Sequence, residues 1–288
     1  MSIRIGIPIW IGSFIDHSIE EVINLISTYK IDLIEVSIDY PWPYKEMDLL
    51  NNLISEVINY DIKISLHAPW RDIPLATPYD YLGEHIVKLL SQILNPILNR
   101  LPYETYIVFH PLTMQKIDIL SNRKDIVSKT QKRMNFLREL INKNTTILLE
   151  NLSRGFGSEP SYLREIVLGL DKYNIGLCLD VGHLAMRYFR ELSGVYTDFY
   201  EYLKEVITIL NDTQIPTVHL HDTDGKTHEH LLIGEGKLDF KKILKILNKL
   251  KPKYIVYEMF RSRKTKATLE EILKIIDGQR TWVRIYMH

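Results

Sequence analysis

Six short apolar runs in this chain finish on side chains that bind metals. Ile64-Ser65-Leu66-His67 and Ile107-Val108-Phe109-His110 end on histidine, Thr146-Ile147-Leu148-Leu149-Glu150 and Ile255-Val256-Tyr257-Glu258 on glutamate, Leu177-Cys178-Leu179-Asp180 on aspartate, and Val218-His219-Leu220-His221 carries two imidazoles. Singly, each is an ordinary hydrogen-bonded group at the rim of a core. Together they need another explanation, because carboxylates and imidazoles buried side by side without a cation leave charges unpaired in a low dielectric, at several kcal/mol per ion. A divalent cation removes that difficulty, so the pattern points to a metal site with oxygen and nitrogen ligands. Seven of the ten histidines (His67, His110, His183, His219, His221, His228 and His230) lie at these run ends or just after them, while His17, His85 and His288 fall elsewhere.

Two local motifs sharpen that expectation. Asp180-Val181-Gly182-His183 puts a carboxylate and an imidazole on one turn, and His219-Leu220-His221-Asp222 continues through Thr223-Asp224-Gly225-Lys226-Thr227-His228-Glu229-His230 to Gly234-Glu235-Gly236. The expected ligands are His67, His110, Glu150, Asp180, His183, His219, His228, His230 and Glu258, with His228 and His230 approaching from the loop. His221 is expected beside the metal shell, orienting a ligand through a hydrogen bond. Glu35, inward on its strand, is expected to support the site in the same way. Arg261, in the basic stretch Arg261-Ser262-Arg263-Lys264-Thr265-Lys266, and Arg71, Arg154 and Arg187 could grip a phosphate; solvated loop charge is the plainer reading. Tyr40, Trp10, Trp42 and Trp70 read equally as rim packing or as surfaces for a ring to stack on.

These side chains need a scaffold that gathers strand ends. Eight β-branched runs recur along the chain: Ile3 to Ile9, Leu33 to Ile38, Lys63 to His67, Thr105 to His110, Thr146 to Glu150, Ile175 to Asp180, Thr217 to His221 and Tyr254 to Glu258. Between them, patterns such as Met47, Leu50, Leu53, Ile54, Val57 and Ile58, or Phe240, Ile243, Leu244, Ile246 and Leu247, repeat at helical spacing. Ser18 with Glu21 reads as a capping box opening the first helix. Strands alternating with helices imply parallel pairing, and eight such units close most simply into a (β/α)8 TIM barrel of the α/β class, a single domain over residues 1–288. An open doubly wound sheet fits less well, because Pro8-Ile9-Trp10-Ile11-Gly12 stands where a glycine-rich phosphate turn would follow the first strand. The segment from Gln279 to His288 follows the last helical pattern without an assigned role.

Composition bounds the partners. With 45% apolar and 25% charged residues and a formal net charge of zero, no overall field draws the chain to nucleic acid or membrane. The single cysteine, Cys178, excludes an internal disulfide and fits a reducing compartment, so the cytoplasm is expected. No charged leader precedes a cleavage site, and no apolar run approaches the roughly 18 residues of a membrane helix.

At His67-Ala68-Pro69, His110-Pro111, Glu150-Asn151-Leu152, Asp180-Val181-Gly182-His183, His219 to Gly236 and Glu258-Met259-Phe260 the chain resembles the xylose isomerase-like TIM barrels. That superfamily joins sugar and sugar-phosphate isomerases and epimerases with endonuclease IV-type abasic-site nucleases. For the isomerase branch the resemblance implies one divalent ion on Glu150, Asp180, His219 and Glu258, with Glu150 and Glu258 exchanging a proton through a metal-stabilised enediolate. For the nuclease branch it implies three zinc ions: on His67, His110 and Glu150; on Glu150, Asp180, His219 and Glu258; and on His183, His228 and His230. Several departures favour the isomerase branch. The glycine-histidine-serine stretch of the nucleases is absent after strand one, Leu112 replaces a glycine, and Asp180-Val181-Gly182-His183 stands where they have Asp-Thr-Cys-His. His228-Glu229-His230 replaces Asp-x-His, an imidazole for a carboxylate. Glu150 to Ser158 partly matches the nuclease loop. The expected substrate is thus a sugar or sugar phosphate, with DNA under the second branch, and the expected cofactor is one to three ions of zinc or manganese. A barrel that binds metal without turnover is a third reading, opposed by the retention of both Glu150 and Glu258.

Overall fold

The computed structural model describes residues 3–14, 16–38, 47–69, 73, 75–111, 123–170, 174–263 and 265–287. Tyr40, Trp42, Trp70, Arg71, Leu112, Lys264 and His288 lie outside them.

The eight runs form strands β1 (Arg4–Ile9), β2 (Leu33–Ser37), β3 (Lys63–His67), β4 (Thr105–Phe109), β5 (Thr145–Glu150), β6 (Ile175–Asp180), β7 (Thr217–Leu220) and β8 (Tyr254–Tyr257). They pair in sequence order, all parallel, and β8 closes on β1. Ladder pairing stops one residue before His110, His221 and Glu258, so these three stand just past the last rung of strands that the sequence carries through them.

Helices α1 (Ile19–Thr28), α2 (Met47–Val57), α3 (Asp80–Leu98), α4 (Arg123–Leu140), α5 (Pro160–Leu168), α6 (Val181–Arg187), α7 (Phe199–Ile209), α8 (Phe240–Leu247) and α9 (Leu269–Tyr286) supply the crossovers. Their starts are chemically marked. Ser18 and Glu21 form the expected capping box on α1, and Thr268 with Glu271 forms a second on α9. Asp198 and Asp239 cap α7 and α8. On α8, Phe240, Ile243, Leu244 and Leu247 turn one stripe to the barrel, each burial worth about 1.5–3 kcal/mol. β6 is followed by two helices before β7: α6 begins at the strand end itself and runs into a π-helical stretch, Tyr188–Leu192, ahead of α7.

Gln279 to Tyr286 is no separate tail. It continues α9, where Gln279 and Val283 are buried and Arg280 donates to the carbonyls of Tyr29 and Lys30, tying the last helix to the end of α1. Among the described residues no helix is long and apolar enough to cross a membrane.

Strand alternation divides the core in two. One set of apolar side chains packs between strands and helices, while a smaller set, Leu33, Tyr106, Val108, Leu148, Cys178, Tyr254 and Val256, fills the barrel interior. Glu150, Asp180 and Glu258 stand one inward position further along β5, β6 and β8 than Leu148, Cys178 and Val256.

Candidate metal centre

Glu150, Asp180, His219 and Glu258 come together at the ends of β5, β6, β7 and β8, all buried. One donor atom from each lies within 4.8 Å of the others. In Glu150 and Asp180 the second carboxylate oxygen is already engaged. Glu150 Oε2 faces His67 Nε2 and His110 Nε2, each at 3.0 Å. Asp180 Oδ1 accepts the His183 amide at 2.5 Å as the N-cap of α6, with His221 Nε2 at 3.2 Å. Among the described residues, the buried atoms left without a hydrogen bond include Glu150 Oε1, Asp180 Oδ2, Glu258 Oε2 and both ring nitrogens of His219. His219 Nδ1 lies 3.4 Å from both Glu150 Oε1 and Glu258 Oε2, and its Nε2 lies 3.1 Å from Glu35 Oε1.

Buried polar atoms are almost always paired, so four residues whose orphaned atoms converge are a specific fit to a cation. Separations of 3.0–3.4 Å between imidazole nitrogens and carboxylate oxygens also suit ligands sharing one ion about 2 Å away. Oxygen donors with one nitrogen admit manganese as well as zinc.

These groups set one another's ionisation. Burial alone would raise the Glu150 carboxyl, but the His110 and His219 rings outweigh it and hold Glu150 well below the usual carboxylate range. Burial opposes charge on His183 too, yet Asp180 and Glu150 lift it to about 9. His230 goes the other way: burial and the neighbouring His221 push it down to about 4.

Two further groups of ligand atoms adjoin the four. His67 and His110 share Glu150, and His183, His221 and His230 present ring nitrogens within 4.8 Å of one another. His183 Nδ1 lies 2.9 Å from the Asn151 carbonyl and His230 Nδ1 lies 3.1 Å from the Glu258 carbonyl, contacts that assign the Nδ1 protons and leave Nε2 as the open donor of each ring. His230 holds φ +59°, the left-handed region that non-glycine residues rarely enter. Its amide donates to His221 Nδ1 at 2.9 Å, and the two rings stack 4.1 Å apart.

Gly182 explains one departure from the nuclease pattern. A Cβ at this position would sit 2.1 Å from the His221 ring, so the imidazole at 221 requires glycine at 182.

The structure does not bring His228 to this group. Asp224 Oδ1 accepts the amides of Lys226, Thr227 and His228, and its Oδ2 lies 2.7 Å from the His228 ring, whose side chain is 53% exposed. The turn presents Glu229 instead, largely buried, with Oε2 unpaired; burial raises this carboxyl, but His183, His230 and His221 draw it down. Arg261 points its side chain outward, while its backbone accepts from Leu232 and donates to His230, clamping the loop. Arg187 is spent on Ser158, Tyr202 and Glu159. Trp10 meets Phe260 edge-on at 6.3 Å, with Lys266 over its ring, and Phe260 adjoins His230.

Three residues escape the strand-end pattern: Glu229, Asn151 and Asp222. Asp222 is fully buried and accepts the amides of Thr223, Gly234, Gly236 and Leu238 at 2.8–3.2 Å, pinning the loop that carries His230. A Cβ on Gly236 would lie 2.0 Å from its carboxylate, so glycine there lets the backbone close on Asp222, while Gly234 holds φ +95°.

Comparison with known proteins agrees with the barrel fold. Two uncharacterized proteins of Methanocaldococcus jannaschii are 29% and 28% identical, each over 67% of this chain; the matches span 61% and 70% of their own lengths. Among solved structures, a D-tagatose 3-epimerase-like protein superposes with a TM-score of 0.74 at 21% identity, covering 99% of this chain and 98% of that one. The IOLI protein with a binding zinc atom gives 0.72 at 18%, covering 99% of each. D-psicose 3-epimerase from Clostridium cellulolyticum H10, solved with D-tagatose, gives 0.67 at 12%, covering 99% and 100%. Identities this low show a common fold. The family described as xylose isomerase-like TIM barrel matches residues 23–282, and this chain belongs to it.

Proposed function

We propose that residues 1–288 form one catalytic domain, a metal-dependent isomerase or epimerase of a sugar or sugar phosphate. The observation that carries the reading is the convergence of orphaned atoms from Glu150, Asp180, His219 and Glu258 at the strand ends. Kinship in fold with proteins named as sugar epimerases supports the substrate class.

Held by these four residues, a divalent ion, zinc or manganese, would supply the positive charge that stabilises an enediolate. Glu150 and Glu258 do the proton work. One carboxylate takes the proton from the carbon beside the carbonyl while the other, protonated at the start, gives its own to the opposite face of that carbon; isomerisation instead returns the proton to the neighbouring carbon as the hydroxyl proton moves to the former carbonyl oxygen, and exchange with water resets the pair. Asp180 keeps one oxygen on the His183 amide and offers the other to the centre. Glu35 steadies His219, and His221 steadies Asp180. The cytoplasm, suited to the single buried thiol of Cys178, is the compartment this reading assigns.

Incubation of zinc- or manganese-loaded protein with ketoses and ketose phosphates in D2O tests it. Deuterium should enter the carbon next to the carbonyl, and chelator or Glu258→Gln should abolish the exchange. Absence of exchange from metal-replete protein across the panel would reject the reading.

One observation favours a second reading, an endonuclease IV-like phosphodiester hydrolase: His67 and His110 on Glu150, with His183 and His230 nearby, offer donors for more ions than proton transfer needs. Chelator-sensitive nicking of a duplex oligonucleotide containing one abasic site would establish it.

A further inference from the structure

The ladder between β5 and β6 ends two residues before Asp180. The last rung between them pairs Glu150 with Cys178, whereas β6 runs on to Asp180, which pairs with His219 of β7 on its other side. The β5-facing amide and carbonyl of Asp180 therefore have no strand to bond. Asn151 fills both places with its side chain: Nδ2 donates to the Asp180 carbonyl at 2.8 Å, and Oδ1 accepts the Asp180 amide at 2.9 Å. A primary amide carries a donor and an acceptor side by side, as a peptide group does, so it can stand in for the missing rung. The way round is fixed, because a backbone N–H can only donate and must face Oδ1.

The same residue acts a second time through its backbone. Its carbonyl lies 2.9 Å from His183 Nδ1, where it takes the ring proton. All three residues are buried, so water does not replace any of these three bonds.

We infer that Asn151 is the positioning residue of the metal centre, holding the Asp180 peptide in sheet geometry so that Oδ2 meets the other donors, and fixing the His183 tautomer. This rests on the metal-centre reading above. Alanine would orphan the amide and carbonyl of Asp180, and aspartate would lack the donor for that carbonyl.

The test is metal affinity. Metal-free wild type and Asn151→Ala are titrated with zinc against a chromophoric chelator, and with cobalt(II) to record the visible absorption of the bound ion. N151A should bind zinc about 10–100-fold more weakly with the same number of ions per chain, and its cobalt bands should shift. Asn151→Ser, whose hydroxyl is too short to make both bonds, should behave alike and serves if N151A does not fold. Wild-type affinity and an unchanged cobalt spectrum, with only a lower Tm, would overturn the inference and leave Asn151 a packing residue. Wild-type protein that binds no divalent ion would instead reject the metal centre, and the inference with it.

Discussion

Leu148 and Glu150, Cys178 and Asp180, and Val256 and Glu258 are pairs set two residues apart on the inward face of one strand, yet they live under opposite conditions. The lower members pack against one another with Leu33, Tyr106, Val108 and Tyr254, and their burial is its own reward. The upper members are also buried, yet each leaves a carboxylate oxygen unpaired. A fold selected only for stability would repeat the lower layer at the upper level, since buried charge lacking full pairing is destabilising. The contrast separates the layer that builds the barrel from the layer proposed above to hold the metal.

Removing Glu150 should strike the upper layer hardest. Glu150→Ala deletes the carboxylate that His67, His110 and His219 share, and metal affinity should drop by more than about 100-fold in equilibrium titrations. An E150A protein that keeps wild-type affinity would erase the functional half of the comparison. Leu148→Ala probes the other half. It should cost about 2–5 kcal/mol in denaturant unfolding while the folded protein binds metal as before; a coupled loss of affinity would show that the layers are not separable. The smallest effect is expected at His228. Because its ring is held by Asp224 away from the centre, His228→Ala should change stability by no more than about 0.5 kcal/mol and leave the ion count unaltered, as read by metal analysis. Loss of an ion in H228A would place this histidine back among the ligands.

His228 and Glu229 show where reading from sequence stops. A His-x-His spacing has a fixed meaning on a strand, where residues two apart share a face, and His219 and His221 both turn to the centre. In the loop that spacing carries no such meaning. Three amides captured by Asp224 and a left-handed His230 decide which side chain turns inward, and both depend on contacts formed across the loop. Asn151 was equally hard to see, since its importance comes from the rung that β5 fails to supply to β6.

The sequence by itself determined the eight strands, the helical crossovers between them and the metal-binding residue types at the ends of six runs, because alternation and amphipathic spacing are local properties that every window of the chain expresses. Only the tertiary structure decided which atoms of those ligands remain open, that Glu229 replaces His228 at the rim, and that Asn151, Asp222 and Gly182 hold the site in shape. Those outcomes depend on hydrogen bonds and close contacts between segments far apart along the chain, fixed when the barrel closes.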